Sequence, residues 1–302
     1  MTIEEVVPRV TIWRGQETRV SSLSGGLTND NYLVEAGGVR YVVRIPGRST
    51  ELLAIDRANE HANAGAAAQA GVGPAVLEYL PDVEVMVLEF IPGETMSGET
   101  LRSTRMARRM AASIRDLHAG PRFLRDFDMF RLTERYLAIC NRRGFRTPAG
   151  FHERMATVAA VEGALRAQPL QTVPCHNDLL AGNFIAGESQ LWIVDWEYAG
   201  MGDRYFDLAN FAVNNELGEA GEVALLSDYF SESPTARRVA TLRLMKFMSD
   251  FREAMWGVVQ SAVSELDFDF GEYRDKHFDR MLSTAANPDF DTWLREASEP
   301  AR

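Results

Sequence analysis

The sequence predicts an α+β fold of two lobes sharing a cleft. The N-terminal lobe is built on an antiparallel sheet over about residues 1 to 90, and the C-terminal lobe, over 91 to 302, is mainly helical. Three observations carry this. Short apolar segments broken by small polar ones fill residues 17–45, an apolar strand at 85–91 ends in Pro92-Gly93, and apolar stripes at helical spacing dominate beyond it.

The first elements are Thr18–Leu23, Asn31–Glu35 and Val39–Ile45, a meander in which Gly37-Gly38 turns the last pair. The turn before it is Ser24-Gly25-Gly26-Leu27-Thr28-Asn29-Asp30. Its glycines let backbone N–H groups approach phosphate oxygens, and its hydroxyls add donors; an ordinary glycine-rich hairpin accounts for the same residues. Ile55–Ala62 opens an alanine-rich helix that Gly71 and Gly73-Pro74 stop. Past the break at Pro92-Gly93, Met106, Met110, Ile114 and Leu117 mark the core face of a helix. Its other face, with Arg105, Arg108, Arg109 and Arg115, reads as solvated. Tyr136, Leu137 and Cys140 mark a second helix stopped near Gly144, and Phe151, Met155, Val158, Ala159 and Leu165 a third stopped at Pro169.

Composition narrows the function classes. With 302 residues, 46% of them hydrophobic, the chain can bury a substantial core and is not a disordered protein. A formal net charge of -11 disfavours a nucleic-acid or anionic-membrane surface. Cys140 and Cys175 show no C-x-x-C spacing, so reduced core thiols are expected rather than disulfides or a zinc site. The N-terminus lacks a basic start followed by an apolar run, and no stretch reaches the ~20 apolar residues of a membrane span. The cytoplasm is the expected compartment. No nucleophile-elbow pattern points to a hydrolase.

The chemistry concentrates in residues 172–210. A polar loop carries Asp178 and Asn183, two short apolar strands follow, and the second runs into Asp195. That layout suits phosphoryl transfer: Asp178 takes or orients the proton of an acceptor hydroxyl, while Asn183 and Asp195 hold Mg²⁺ on nucleotide phosphates. The interval between Asp178 and Asn183 lets the loop turn over, and the strand pair returns Asp195 to the same mouth.

The string His176-Asn177-Asp178-Leu179-Leu180-Ala181-Gly182-Asn183, with Val194-Asp195-Trp196-Glu197-Tyr198-Ala199-Gly200, resembles the catalytic and metal segments of the choline/ethanolamine kinases. More widely it is similar to the aminoglycoside phosphotransferase superfamily, whose fold is that of the protein kinases. The loop there reads H-x-D-x-x-x-x-N, and the metal Asp opens a D-W-E or D-F-E triplet. The resemblance implies a protein-kinase-like fold, ATP and Mg²⁺, and the roles given above to Asp178, Asn183 and Asp195. It implies phosphate contacts from Gly25, Gly26, Thr28 and Asn29, and Arg44 as the strand cation with Glu60 as its helix partner. Glu89 and Ile91 become the hinge residues whose backbone meets the adenine edge.

Met255-Trp256-Gly257-Val258-Val259-Gln260 and the stretch from Leu266 to Tyr273 resemble the aromatic segments beside the choline site. Ring faces hold a quaternary ammonium. Trp256, Tyr273, Phe268 and Phe270 are therefore expected around the acceptor, with Glu197, Tyr198 and Asn214; plain core packing is the alternative for the aromatics. Asn214 stands where eukaryotic choline kinases place an acidic ligand, which leaves the ammonium counter-charge to Glu197, Asp178 or Glu216. Asp207 is expected to cap the next helix and tether the catalytic loop, and His176 to brace it. The implied reaction moves the γ-phosphoryl group of ATP to choline or a related small amino alcohol, with no nucleic-acid partner and a homodimer left open. Aminoglycoside, thiamine, homoserine or a sugar are alternative acceptors, and a non-catalytic kinase-like module is the remaining alternative.

Overall fold

The computed structural model describes residues 1–23, 28–47, 53–101, 103–188, 190–264 and 266–300. After a short α1 (Ile3–Val6) come β1 (Thr18–Ser22), β2 (Asn29–Ala36) and β3 (Val39–Pro46), the expected antiparallel meander. β2 starts two residues before the expected Asn31, because Asn29 and Asp30 still pair with Pro46 and Ile45. A helix, α2 (Arg57–Gln69), follows, and β4 (Val76–Leu80) and β5 (Val85–Glu89) complete a five-stranded sheet in the order β1-β2-β3-β5-β4. Asp56 caps α2, accepting the Asn59 N–H at 3.0 Å.

Strand alternation gives the sheet two different faces. Val34, Val43, Val85 and Val87 are fully buried and pack under Ile3, Val6 and Trp13. One residue along, Val42, Arg44, Met86 and Leu88 turn the opposite way and line the interlobe cavity. A charged residue thus sits inside a strand without breaking its apolar face.

Directly after Pro92-Gly93, β6 (Glu94–Thr95) joins a second sheet with β8 (Phe184–Ala186) and β9 (Leu191–Ile193). Gly93 is required by close approach, since a Cβ there would lie 2.5 Å from the Ala186 carbonyl oxygen. Helices α3 (Gly98–Leu101), α4 (Thr104–His118), α5 (Met129–Arg143) and α6 (Met155–Leu165) precede β7 (Val173–Cys175). Beyond β9 lie β10 (Gly200–Gly202), which pairs with β7, and α7 (Arg204–Asn214), α8 (Glu219–Phe230), α9 (Ala236–Val263), α10 (Phe270–Ala285) and α11 (Phe290–Ser298). α9 is buried along most of its length, and α5, α7, α10 and α11 pack around it.

The predicted core face of α4 is found, with Met110, Ile114 and Leu117 fully buried. Its arginine face is not merely solvated, however. Arg109 donates to the Gly187 carbonyl at 3.0 Å and Arg115 to that of Asp228 at 3.1 Å. Both cysteines are buried and unpaired. Among the described residues, no helix is long and apolar enough to cross a membrane.

Candidate active site

The loop after β7 is held from beneath. Asp207, fully buried in the first turn of α7, accepts the backbone N–H groups of His176 at 2.8 Å and Asn177 at 2.6 Å, and His118 Nε2 lies 3.0 Å from it. The tether expected of Asp207 is present. The cap is not: Asp203 caps α7 by accepting the Tyr205 N–H at 2.9 Å, since the helix begins one residue after it. His176 braces the loop in two directions, through Nε2 to the Val194 carbonyl at 2.9 Å and through Nδ1, which faces the Asp178 N–H at 3.2 Å. That pattern requires a neutral ring with its proton on Nε2, and burial pushes the His176 pKa down accordingly.

The β8–β9 hairpin then sets the two expected metal ligands side by side. Phe184 pairs with Ile193, and at the open end the Val194 N–H donates to the Asn183 carbonyl at 2.9 Å, so Asp195 follows immediately beside Asn183. Asn183 Nδ2 donates to the Asp178 carbonyl at 2.8 Å, which leaves Oδ1 as the amide's metal-facing atom. Asp195 adopts φ +71°, a left-handed conformation that Asp tolerates better than most residues. An amide oxygen and a carboxylate are the hard donors that Mg²⁺ prefers, so these side chains fit the ion.

Across the cleft, Arg44 forms ion pairs with Glu60 (Nε to Oε1, 2.7 Å) and with Asp195. Burial works against its charge, yet Asp195, Glu60 and Glu197 together raise its pKa. Arg57 binds the other Glu60 oxygen at 2.6 Å. Glu197 is placed differently from its expected position beside the acceptor aromatics. Its carboxylate accepts Thr28 Oγ1 at 2.8 Å and Asn29 Nδ2 at 2.9 Å, with Arg44 and Arg57 at 3.4 Å. Burial, with Asp195 nearby, pushes its pKa up to about 8. Thr28 and Asn29 therefore latch the N-terminal sheet to the turn after β9, while Gly25 and Gly26 lie outside the described residues. Of the hinge residues, Glu89 already donates its N–H to the Ala75 carbonyl at 2.9 Å, and Ile91 lines the cavity beside it.

A cavity of about 620 Å³ joins these groups to a second set on α9 and α10. Asp178, Tyr198, Arg252, Glu253, Trp256 and Tyr273 line that end. Trp256 donates Nε1–H to the Tyr198 hydroxyl at 3.0 Å and meets the Tyr273 ring edge-on, centroids 5.5 Å apart. Asn214, Phe268 and Phe270 are not among the lining residues. Phe268 is 42% exposed, and Phe270 is buried with its ring against Trp256 at 5.7 Å, so packing explains it. Glu216 pairs with Lys276 at the surface and is not among the residues lining the cavity.

Arg252 and Glu253 were not anticipated. Arg252 Nη1 bridges Glu253 Oε1 at 2.6 Å and Asp178 Oδ1 at 3.1 Å, with its guanidinium carbon 4.3 Å from the Tyr198 ring centroid. The Tyr198 face is thus occupied by an internal cation. Burial pushes the Asp178 carboxyl up to about 7; Arg252 pulls against this, and Glu253 and Asp195 add to it. The only sequence signal for the pair was its place, two residues after Asp250, in a helical stretch otherwise rich in large apolar side chains.

The comparisons agree with this geometry. Residues 19–242 match the phosphotransferase enzyme family. The crystal structure of a choline/ethanolamine kinase family protein from Mesorhizobium loti superposes with a TM-score of 0.86 at 30% identity, covering 99% of each chain. Human ethanolamine kinase 2 is 27% identical over 309 residues, 93% of this chain and 78% of that one. Escherichia coli thiamine kinase is 30% identical over 200 residues, 65% of this chain and 66% of its own. With a kinase-like fold, a family match over residues 19–242 and a relative of this kind along its whole length, the chain belongs to the phosphotransferase enzyme family, alongside the choline/ethanolamine kinases.

Proposed function

We propose that the protein transfers the γ-phosphoryl group of ATP to the hydroxyl of choline or a related small amino alcohol. The observation that carries this reading is one cavity in which Asp178, Asn183 and Asp195 lie between the Arg44–Glu60 pair and the aromatic wall of Trp256 and Tyr273. Asn183 and Asp195 are the residues to hold Mg²⁺, which when bound would neutralise charge on the phosphates. Arg44, permanently charged and fixed by Glu60, would orient the phosphates from the opposite lobe. One Asp178 oxygen is bound by Arg252; the other is left to accept the hydroxyl proton. The ring faces of Trp256 and Tyr273, beside Asp178 and Glu253, suit a small organic cation better than a neutral sugar. A second reading takes thiamine, also a cationic alcohol, as acceptor, and rests on the similarity to thiamine kinase.

The test is ADP release with choline, ethanolamine, thiamine, homoserine and an aminoglycoside at equal concentration. Choline is expected to give the highest kcat/KM. A higher value for thiamine selects the second reading, and a higher value for homoserine or the aminoglycoside overturns both while leaving phosphoryl transfer in place.

A further inference from the structure

We propose that Arg252 and Glu253 form a built-in positioning pair for Asp178. Glu253 anchors the guanidinium, and the guanidinium immobilises one carboxylate oxygen of Asp178 so that the other is presented to the acceptor hydroxyl. The inference rests on Asp178 acting at that hydroxyl and is independent of which alcohol is the acceptor.

Three features of the geometry carry it. First, the anchor is itself anchored: Glu253 Oε2 accepts the Tyr273 hydroxyl at 2.7 Å, and Oε1 accepts Asn210 Nδ2 at 3.1 Å. Second, Asn210 Oδ1 accepts the Leu179 N–H at 2.6 Å, so the backbone next to Asp178 and the Asp178 side chain are both fixed through the same carboxylate. Third, the pair is a poor stabilising device. Arg252 is 1% exposed and its Nε and Nη2 have no hydrogen-bond partner among the described residues. Burying so many donors for so few bonds costs more than an apolar pair of the same volume would. A group retained at that cost, and bonded to the carboxylate beside the transferred proton, is explained by the orientation it imposes.

The experiment compares Arg252→Met, Arg252→Lys, Glu253→Gln and the double variant Arg252→Met/Glu253→Gln, with Asp178→Asn as reference. Thermal midpoint, KM for ATP, and kcat are measured both with choline and for basal ATP hydrolysis, where water is the acceptor. Arg252→Met should lower kcat by about tenfold or more while KM for ATP stays within about twofold. Arg252→Lys should recover part of the loss, since a point charge reaches one carboxylate but not both. The double variant removes one charge of each sign, so the net charge beside Asp178 is unchanged; it should regain most of the thermal midpoint, yet kcat should remain depressed. Wild-type kcat in the double variant would overturn the proposal, because it would mean the pair only balances its own charge; so would wild-type kcat in Arg252→Met. If Arg252→Met fails to fold, the double variant carries the test. Near-normal turnover in Asp178→Asn is the separate outcome that removes Asp178 from the reaction, whatever the Arg252 series shows. Should choline fail as acceptor, basal hydrolysis still reads every variant.

Discussion

Asp178 and Asp195 make opposite demands on one experiment. Under the proposed function Asp178 serves the acceptor, and its link to the expected metal ligands is the Asn183 amide bonded to its backbone carbonyl. Asp178→Asn should therefore keep the fold and nucleotide binding nearly intact while kcat falls by about 10² or more; steady-state kinetics beside calorimetric ATP titration reads both quantities. Asp195→Ala removes a hard oxygen ligand and also releases Arg44 from an ion pair. ATP should then bind with an affinity that no longer responds to Mg²⁺, measured by titrating nucleotide with and without the metal. An unchanged metal response would assign the ion to other residues. That Asp178, Asn183 and Asp195 meet at one mouth was readable because a short loop and a tight hairpin separate them in the chain. Arg252 was not readable because its partner Asp178 lies 74 residues away, and no local pattern distinguishes a buried charge on α9 from an exposed one.

At the scale of elements, the acceptor wall depends on how closely α9 and α10 approach. A Cβ at Gly257 would lie 2.9 Å from Arg274 Cβ and 3.1 Å from its Cα, next in sequence to Trp256 on one helix and Tyr273 on the other. In an isolated helix, Gly→Ala would stabilise by about 1 kcal/mol. Here the contact should win, and Gly257→Ala should lower stability by about 1–3 kcal/mol, read from the urea midpoint at constant slope. The same separation of helices should raise KM for the acceptor while leaving KM for ATP unchanged. The aromatics that the resemblance groups together separate at this level: of Phe268, Phe270 and Tyr273, only Tyr273 lines the cavity, with Phe268 before the start of α10 and Phe270 packed on Trp256. Helical spacing tells which residues share a side, and the angle between α9 and α10 decides which side faces ligand.

For the molecule as a whole, the lobes are joined by more than the chain crossing at Pro92-Gly93. Glu197 reaches Thr28 and Asn29 across 169 and 168 residues of sequence, at the end of the turn whose glycines precede them. Thr28→Val keeps the shape and removes one hydroxyl donor to a buried carboxylate, a loss of roughly 1–3 kcal/mol. The expected result is a severalfold higher KM for ATP and faster proteolytic cleavage of the N-terminal lobe without nucleotide, with kcat at saturating ATP little changed. Unaltered KM and cleavage would reduce the latch to passive packing. The three-stranded meander was legible from turns and alternation; β4 was not, and neither was the latch, because Glu197 closes the triplet opened by Asp195, which the resemblance assigns to metal and acceptor rather than to the opposite lobe.

The division of labour along the chain has an evolutionary consequence. Under the proposed function the transfer machinery is the hairpin of β8 and β9 and the loop before it, backed by Arg252 and Glu253, whereas Trp256 stands one turn further along α9. Drift at Trp256, with Arg252 and Glu253 kept, can then redesign what the enzyme accepts without disturbing how it donates. A library randomised at Trp256 should accordingly yield clones of altered acceptor range that retain parental affinity for ATP, making that position of α9 the natural starting point for changing the enzyme's repertoire.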